Sequence, residues 1–589
     1  IEALLEKAGN TPALVNWKNS FGEIYDAEKN EWSKEGFEDK VVESKVDLAK
    51  LRDLFVEKVT SWGETKERAL EFFLDEAFVN YTYPEISFDK VGLRKTGEYE
   101  IEMILEKPLK GFYLYYNLGG NWIVHEKLYE ACKRKEEGSD LIKSTYMTSV
   151  DTSISYSAYK LKSFQDDKAI EFVRNENWYG YKREENKGLY QADRIYIQIV
   201  KESATQLQMF LAGQLDFVGL NSEQAPDYRG SDSIYYTLSS YTNNLLLLAN
   251  KEQLEARQEK GFNKTILSLI EFRKALSLSI DRKDMAAKTT AASSAGLGLL
   301  NMRYIADVET ITPYRNYDAA KATLCETYGV KYGEGQAYAT LEEAYDALTG
   351  YNLEEAKKLF DAAYDKAIAE GLMKEGDIVK LTQISSVDNE NTRKTYQYLK
   401  ENWTKALEGT KLAGKFELEF DPTAGNEFAT KFKNGQGDML MAGWQGAEFD
   451  PYYFMLAYLD PNYRYAQSFN PDQDVEIEIG GKKITMPASR WYSAMMGSDN
   501  EYKFGPNDAS LEDRIKILAA LEKLVLLDYT SCPTYYGSSA SLKSHKVNYY
   551  SEEYNELLGR GGVKYNTFNY DDAAWDEYVK SNNGILDYK

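Results

Sequence analysis

The side chains that most often carry chemistry are few in this 589-residue sequence: two histidines, His125 and His545, and three cysteines, Cys132, Cys325 and Cys532. Metal sites and nucleophilic triads use such residues at fixed spacings, because several must converge on one ion or one reacting atom. None of the five stands in a C-x-x-C, H-x-x-x-H or comparable spacing, and there is no G-x-S-x-G turn. No catalytic group, metal or other cofactor is therefore expected. Cys532, beside Pro533, reads as a small buried hydrophobe, and His125 as a satisfied rim or core histidine. Three cysteines make no disulfide framework, although one pair can form.

Carboxylates are abundant. The 94 Asp and Glu against 71 Lys and Arg leave a net charge of −23. That surplus excludes a nucleic-acid partner and electrostatic docking on an anionic membrane, both of which need basic residues. A carbohydrate hydrolase needs two carboxylates ~5–9.5 Å apart across a bond, and nothing in the sequence singles out a pair. Aromatic residues make up 14%, with 47 Tyr and 9 Trp. This content fits ordinary packing, or a cleft lined by flat rings for a sugar or peptide.

The elements that must position any site read as mixed α/β. Length alone suggests about three or four domain-sized units. Val46–Lys58 and Glu64–Phe78 predict amphipathic helices, and Glu98–Leu105 predicts a half-buried strand. Tyr159–Phe164, Ala169–Arg174 and Arg194–Ile199 alternate like strands. A helix over Thr205–Leu211, ended at Gly213, then leads to a strand at Leu215–Val218, which predicts a parallel βαβ unit. Ile266–Ile280 carries one apolar helical stripe, and Asp281 and Asn352 read as caps of the helices that follow them. A second α/β unit is predicted from a helix over Thr392–Leu407, a strand at Lys415–Phe420, a helix over Asn426–Lys433 and a strand at Met439–Gly443. A helix over Leu511–Tyr529 follows. No stretch approaches the ~18–20 apolar residues of a membrane span, and the first residues show no signal-peptide pattern.

Five passages resemble the family 5 extracellular solute-binding proteins, the peptide-binding subunits of ABC importers. They are YKLKSFQDDKAIEFVRNENWYGY (159–181), ADRIYIQIVKESATQLQMFLAGQLDFV (192–218), FRKALSLSIDRKDM (272–285), NLEEAKKLFDAA (352–363) and GDMLMAGWQGAEFDPYYF (437–454). Their order and spacing agree with the family. The resemblance implies a two-lobed periplasmic-binding-protein-like α/β fold of the class II, or cluster C, type with an extra small subdomain on the first lobe. Its parts would be residues 1–150 (the small subdomain and part of lobe I), 151–245 (lobe I), 246–530 (lobe II) and 531–589 (a return to lobe I). The family's opening strands have no counterpart here, so an N-terminal portion is expected to be missing from this numbering.

The resemblance also implies a function. An oligopeptide would be captured in a closing cleft and delivered to ABC permease subunits, with the protein monomeric and outside the cytoplasm, lipid-anchored or periplasmic. An oligosaccharide or another polar solute remains an alternative cargo, and a secreted carbohydrate hydrolase an alternative class. The chain would cross between lobes near Ser240–Leu248 and Ser531–Tyr536. Tyr241, Tyr535 and Tyr536 would then serve either the cleft floor or hinge packing. The ligand would pair with Ala442, Gly443, Trp444, Gln445 and Gly446, Gly443 admitting close approach and Trp444 offering a rigid face or filling core. Family members that bind a free α-amino group often place an Asp three residues after this Trp. Here Ala447 holds that place, and Glu448 either supplies the carboxylate or points away.

Overall fold

The computed structural model describes residues 86–105, 111–119, 123–135, 142–425, 428–460, 468–548 and 562–589, with the helix Lys66–Ala77 and short pieces before it. The predicted helix Val46–Lys58 falls largely outside the described residues. The chain divides into two compact units, one running to Val200 with Val563–Asn566 added, the other formed from Lys201 onward.

In the first unit, β1 (Tyr159–Gln165), β2 (Ala169–Arg174) and β3 (Arg194–Gln198) form an antiparallel sheet in that order. Glu171 on the middle strand accepts from Lys162 at 3.1 Å and pairs with Arg194 at 2.6 Å, tying β2 to both neighbours. The Arg-Asn-x-x-Trp passage closes this sheet. Asn175 donates to the carbonyls of Ser155 and Ser157, and Trp178 meets Tyr181 and Tyr190 edge-on. The strand expected to be half-buried at Glu98–Leu105 is shorter and exposed. Only Ile101–Met103 pairs, with Leu93–Lys95, and Ile101 is 61% exposed because this hairpin has no layer packed on it among the described residues.

The predicted parallel βαβ unit does not form. Its helix does, over Ser203–Leu211, and Gly213 at φ +73° follows it. However, β3 pairs antiparallel with β2, and β4 (Phe217–Leu220) pairs antiparallel with a strand more than 300 residues later. Alternation marks a strand but is silent about its partner.

The second unit is built on an eight-stranded sheet. Its further strands are β5 (Ile234–Leu247), β6 (Phe262–Asn263), β7 (Ser294–Ala295), β8 (Ile378–Ile384), β9 (Phe416–Asp421), β10 (Met439–Trp444) and β11 (Ser531–Lys543). The order is β4-β11-β5-β10-β8-β6, with β7 on β11 and β9 on β8. The second predicted α/β unit is present: β8 is parallel to both β9 and β10, with helices Glu390–Ala406 and Phe428–Lys433 between them. Sequence reading missed β8 itself. Asp281 and Asn352 cap their helices, Asp281 accepting from the amides of Lys283 and Asp284 and Asn352 from that of Glu355. The single helix expected over Ile266–Ile280 is instead a 3-10 turn, Thr265–Ser268, then a helix, Ile270–Leu278. The two are separated by extended backbone at Leu269.

β5 and β11 join two cores. Leu245–Leu247 of β5 and Cys532 of β11 lie in one core with Phe272, Phe360, Trp403 and Leu440. Ala540 and Leu542, at the other end of β11, lie in a second with Phe210, Trp575 and Tyr588. The two strands are antiparallel partners, so the segments predicted to cross between lobes run side by side. Cys532 is buried as expected, which pushes its thiol up to about 11. His125 is a helix cap, its Nδ1 accepting from the Leu128 amide at 3.3 Å.

Candidate functional site

Strand β10 supplies the frame. Its full length pairs with β5, from Met439↔Leu247 to Trp444↔Thr242. On its other edge, β8 pairs only with Met439 and Leu440. Beyond Leu440, Ala442–Trp444 have no strand on that side among the described residues. Backbone N–H and C=O groups need partners when shielded from water, so this open edge is a template for an extended chain.

Two buried features hold β10 in place. Asp438, immediately before it, is fully buried. Its carboxylate accepts from Lys264 Nζ at 2.8 Å and from the Thr382 amide at 2.7 Å, and it also binds Arg257. The other feature is a bulge in β5. Between the pairs Leu238↔Ser538 and Thr242↔Tyr536, β5 advances four residues while β11 advances two. The extra backbone is fixed by Asn301, which is 1% exposed and donates to Ser239 O at 2.8 Å and Tyr241 O at 3.3 Å.

The bulge places Tyr241 between two glycines. A Cβ on Gly537 would lie 2.4 Å from the ring's Cζ, and one on Gly443 2.8 Å from its Cδ2. Gly443 was expected to admit a ligand, and the structure supplies a reason within the protein: its missing side chain makes room for Tyr241. Burial raises the Tyr241 hydroxyl above its ordinary value, and it raises that of Tyr535 further, with Tyr241 adding to the effect. Tyr536 accepts a hydrogen bond from the Gly298 amide at 3.0 Å, and Tyr535 and Tyr536 both pair with β7. These contacts give all three tyrosines a packing role at the strand crossing. Gly537→Ala should therefore cost about 1–3 kcal/mol by overpacking, and much less in a Tyr241→Ala background. Thermal unfolding of the two single variants and the double variant checks the coupling.

Trp444 is partly buried against a third core containing Tyr304, Tyr452 and Trp491. Gln445 and Gly446 are exposed. Gly446 at φ +110° and Ala447 at φ +54° then turn the chain, with the Asp450 amide donating to Ala447 O at 2.8 Å. A left-handed backbone at a non-glycine residue is costly, and at Ala447 it redirects Glu448 out of the strand line. Glu448 Oε2 accepts from Arg303 Nη2 at 2.7 Å and Nε at 3.1 Å. The carboxylate considered for a ligand's amine is thus already engaged by a guanidinium. Asp450 caps the helix Pro451–Phe454 by accepting from the Tyr453 amide, so the Asp-Pro pair is a helix start.

Sequence reading missed Asn301, Arg303 and Gly537, which carry no local pattern. Asp438 lay within a quoted passage, and its role depends on basic residues far away in the chain. Among the described residues no group of His, Cys, Asp and Glu could hold a metal ion, and no helix is long and apolar enough to cross a membrane.

The family model for bacterial extracellular solute-binding proteins, family 5 (middle), matches residues 55–465. No curated protein sequence matches the chain. Among solved structures, the pheromone receptor PrgZ, described for its mode of peptide binding, is 17% identical, with 89% of this chain and 83% of PrgZ covered at a TM-score of 0.53. OppA of Listeria monocytogenes, bound to peptide, is 16% identical, with 88% and 84% covered and a TM-score of 0.53. The substrate-binding domain of an oligopeptide ABC transporter from Bacillus anthracis is 15% identical, with 88% and 82% covered and a TM-score of 0.52. At these identities the likeness is one of fold.

Proposed function

The chain belongs to family 5 of the bacterial extracellular solute-binding proteins, and from that premise we propose that it captures extended peptides along the open edge of β10 for an ABC importer. The observation that carries this reading is the end of β8 pairing at Leu440, beyond which no strand among the described residues pairs with Ala442 and Gly443 on that edge, so a ligand's main chain can add there. Recognition through main chain is indifferent to side-chain identity, which suits a receptor for mixed peptides. Trp444, Gln445 and Gly446 border the ligand, and Tyr241, Tyr535 and Tyr536 support the strand crossing beneath it. The protein binds without chemical change to its cargo, acts as a monomer and works outside the cytoplasm, lipid-anchored or periplasmic, with permease subunits as partners. The fold of PrgZ and of the Listeria OppA, both described with peptide, supports this reading.

A thermal-shift comparison of a degenerate heptapeptide pool with an oligosaccharide panel tests it. A ligand that binds only the folded state stabilises it by about 2.7 kcal/mol at a hundredfold excess over Kd. A rise in Tm with the peptides is expected. A rise with sugars alone would reassign the cargo.

A further inference from the structure

We propose that Lys394 and the loop 221–224 form a latch that closes the second unit at the level of the open edge of β10 and so retains a bound peptide. This inference rests on the peptide reading above and names what holds that site shut.

The two cores joined by β5 and β11 make a second, smaller contact away from those strands. The loop 221–224 follows β4, whose Val218 and Leu220 lie in one core with Ala225. The helix Glu390–Ala406 buries Leu399 and Trp403 in the other. Between them, Lys394 Nζ donates to Ser222 Oγ at 2.9 Å and pairs with Glu223 at 3.0 Å. Glu390 pairs with the same Lys394 at 2.7 Å and accepts from Asn221 Nδ2 at 3.5 Å. Each half is built without the other. Asn221 Oδ1 accepts from the amides of Glu223 and Gln224, and Gln224 Nε2 donates to Ser203 O. Across the contact, Asn389 and Thr392 form a capping box at the helix start. The contact can therefore break without unfolding either side. Its charges are partly in water, the Lys394 side chain being 27% and the Glu223 side chain 69% exposed. A small polar contact of this kind opens readily, whereas a permanent one is large and apolar. The bulge in β5 and the second register shift at Asn243 and Asn244 give the two-strand joint a place to bend.

The topology sets the contact at the level of the ligand edge. β8 runs parallel to β10 and stops pairing at Ile384↔Leu440, so the helix after it starts at the end of the sheet toward which β10 continues into Ala442 and Gly443. β4 approaches from the opposite direction. Its last pair, Leu220↔Ala540, leads along β11 toward Tyr536, whose partner Thr242 pairs with Trp444. Three strands separate β4 from β8 in the sheet, yet the segments that follow them touch. A peptide on the edge of β10 is enclosed while that contact lasts.

Carbodiimide coupling of the ligand-free protein, read by mass spectrometry, tests the contact by itself. A cross-link between Lys394 and Glu223 is expected, and its absence would overturn the latch whatever the cargo. Titration of the degenerate heptapeptide pool into the intact protein, followed by thermal shift, tests the role. Lys394→Glu sets like charges against each other and is expected to weaken the apparent affinity about threefold to tenfold, because the ligand must then hold the closed form unaided. Adding Glu223→Lys restores opposite charges and should recover most of that loss, which a role of Lys394 confined to its own helix would not allow. An affinity in Lys394→Glu within about twofold of wild type, or a double variant no better than the single one, would overturn the inference and leave the peptide reading standing. If the pool does not bind the wild-type protein, the peptide reading fails and the retention of peptide falls with it, while the cross-link still reports on the contact.

Discussion

Replacing Glu522 with alanine is expected to destabilise the second unit by roughly 3–5 kcal/mol, the cost of leaving a buried charge unpaired. Glu522 and Arg315 are both buried almost completely and form an ion pair. The same carboxylate accepts from the Leu299 amide at 2.8 Å and from the Tyr314 hydroxyl at 3.0 Å. Burial, and then the charge of Glu522, holds the Tyr314 hydroxyl well above its ordinary value, so it stays protonated and donating. Arg315 also donates to Leu300 O at 2.8 Å, and a Cβ on Gly298 would lie 2.0 Å from its Nη2, so the guanidinium has no room to move aside. The variant thus strands a cation that can neither deprotonate nor reach water. Paired replacement, Arg315→Met with Glu522→Leu, should recover much of the loss, because two apolar groups need no partner. Urea unfolding of wild type, Glu522→Ala and the double variant reads this directly. A single variant within about 1 kcal/mol of wild type would contradict the account.

Asp438→Ala should cost a similar amount, about 3–5 kcal/mol, and it should also reduce ligand affinity. Its carboxylate joins Lys264, whose side chain is 7% exposed, to Arg257 and to the Thr382 amide of β8. Losing it strands Lys264 Nζ, left with the Lys380 carbonyl at 2.8 Å, and removes the side-chain bond to the Thr382 amide that reinforces the pairing of β10 with β8, leaving the Asp438 amide's own bond to Thr382 O at 2.9 Å. Because β10 carries the open edge, the second effect reaches the ligand. Asp438→Asn retains an acceptor for the Thr382 amide and should lose less on both counts. Equal affinity in Asp438→Ala and wild type, measured where both are folded, would separate this clamp from the site.

The sequence carried the local structure well and the long-range structure poorly, for a physical reason. Caps such as Asp281 and Asn352 and the stop at Gly213 act within a few residues, and their signals are as short as their effects. Pairing does not work this way. β4 finds β11 across more than 300 residues, and Asp438 meets Arg257 and Lys264 at separations of 181 and 174 residues. Nothing near either partner announces the other. The candidate site shows the same split: the passage over 437–454 located the strand, whereas the open edge exists only because β8 ends where it does. Gly443 was expected to admit a ligand's backbone; the group that approaches it within the protein, Tyr241, is placed by a bulge that alternation does not reveal. Glu448 was legible as an acid of uncertain direction, and the turn at Gly446 and Ala447 with Arg303 beside it decided that direction.

The central claim is that a peptide's main chain pairs with the edge of β10 at Ala442 and Gly443. Scanning N-methylation along one heptapeptide that binds, with affinity measured by calorimetry at each position, tests it most directly. Strand pairing directs alternate amides toward the edge, so methylation should weaken binding at every second position within the bound stretch. Each such loss should be at least the roughly 0.5–1.5 kcal/mol of one hydrogen bond. Affinities that stay flat along the whole peptide would contradict the claim.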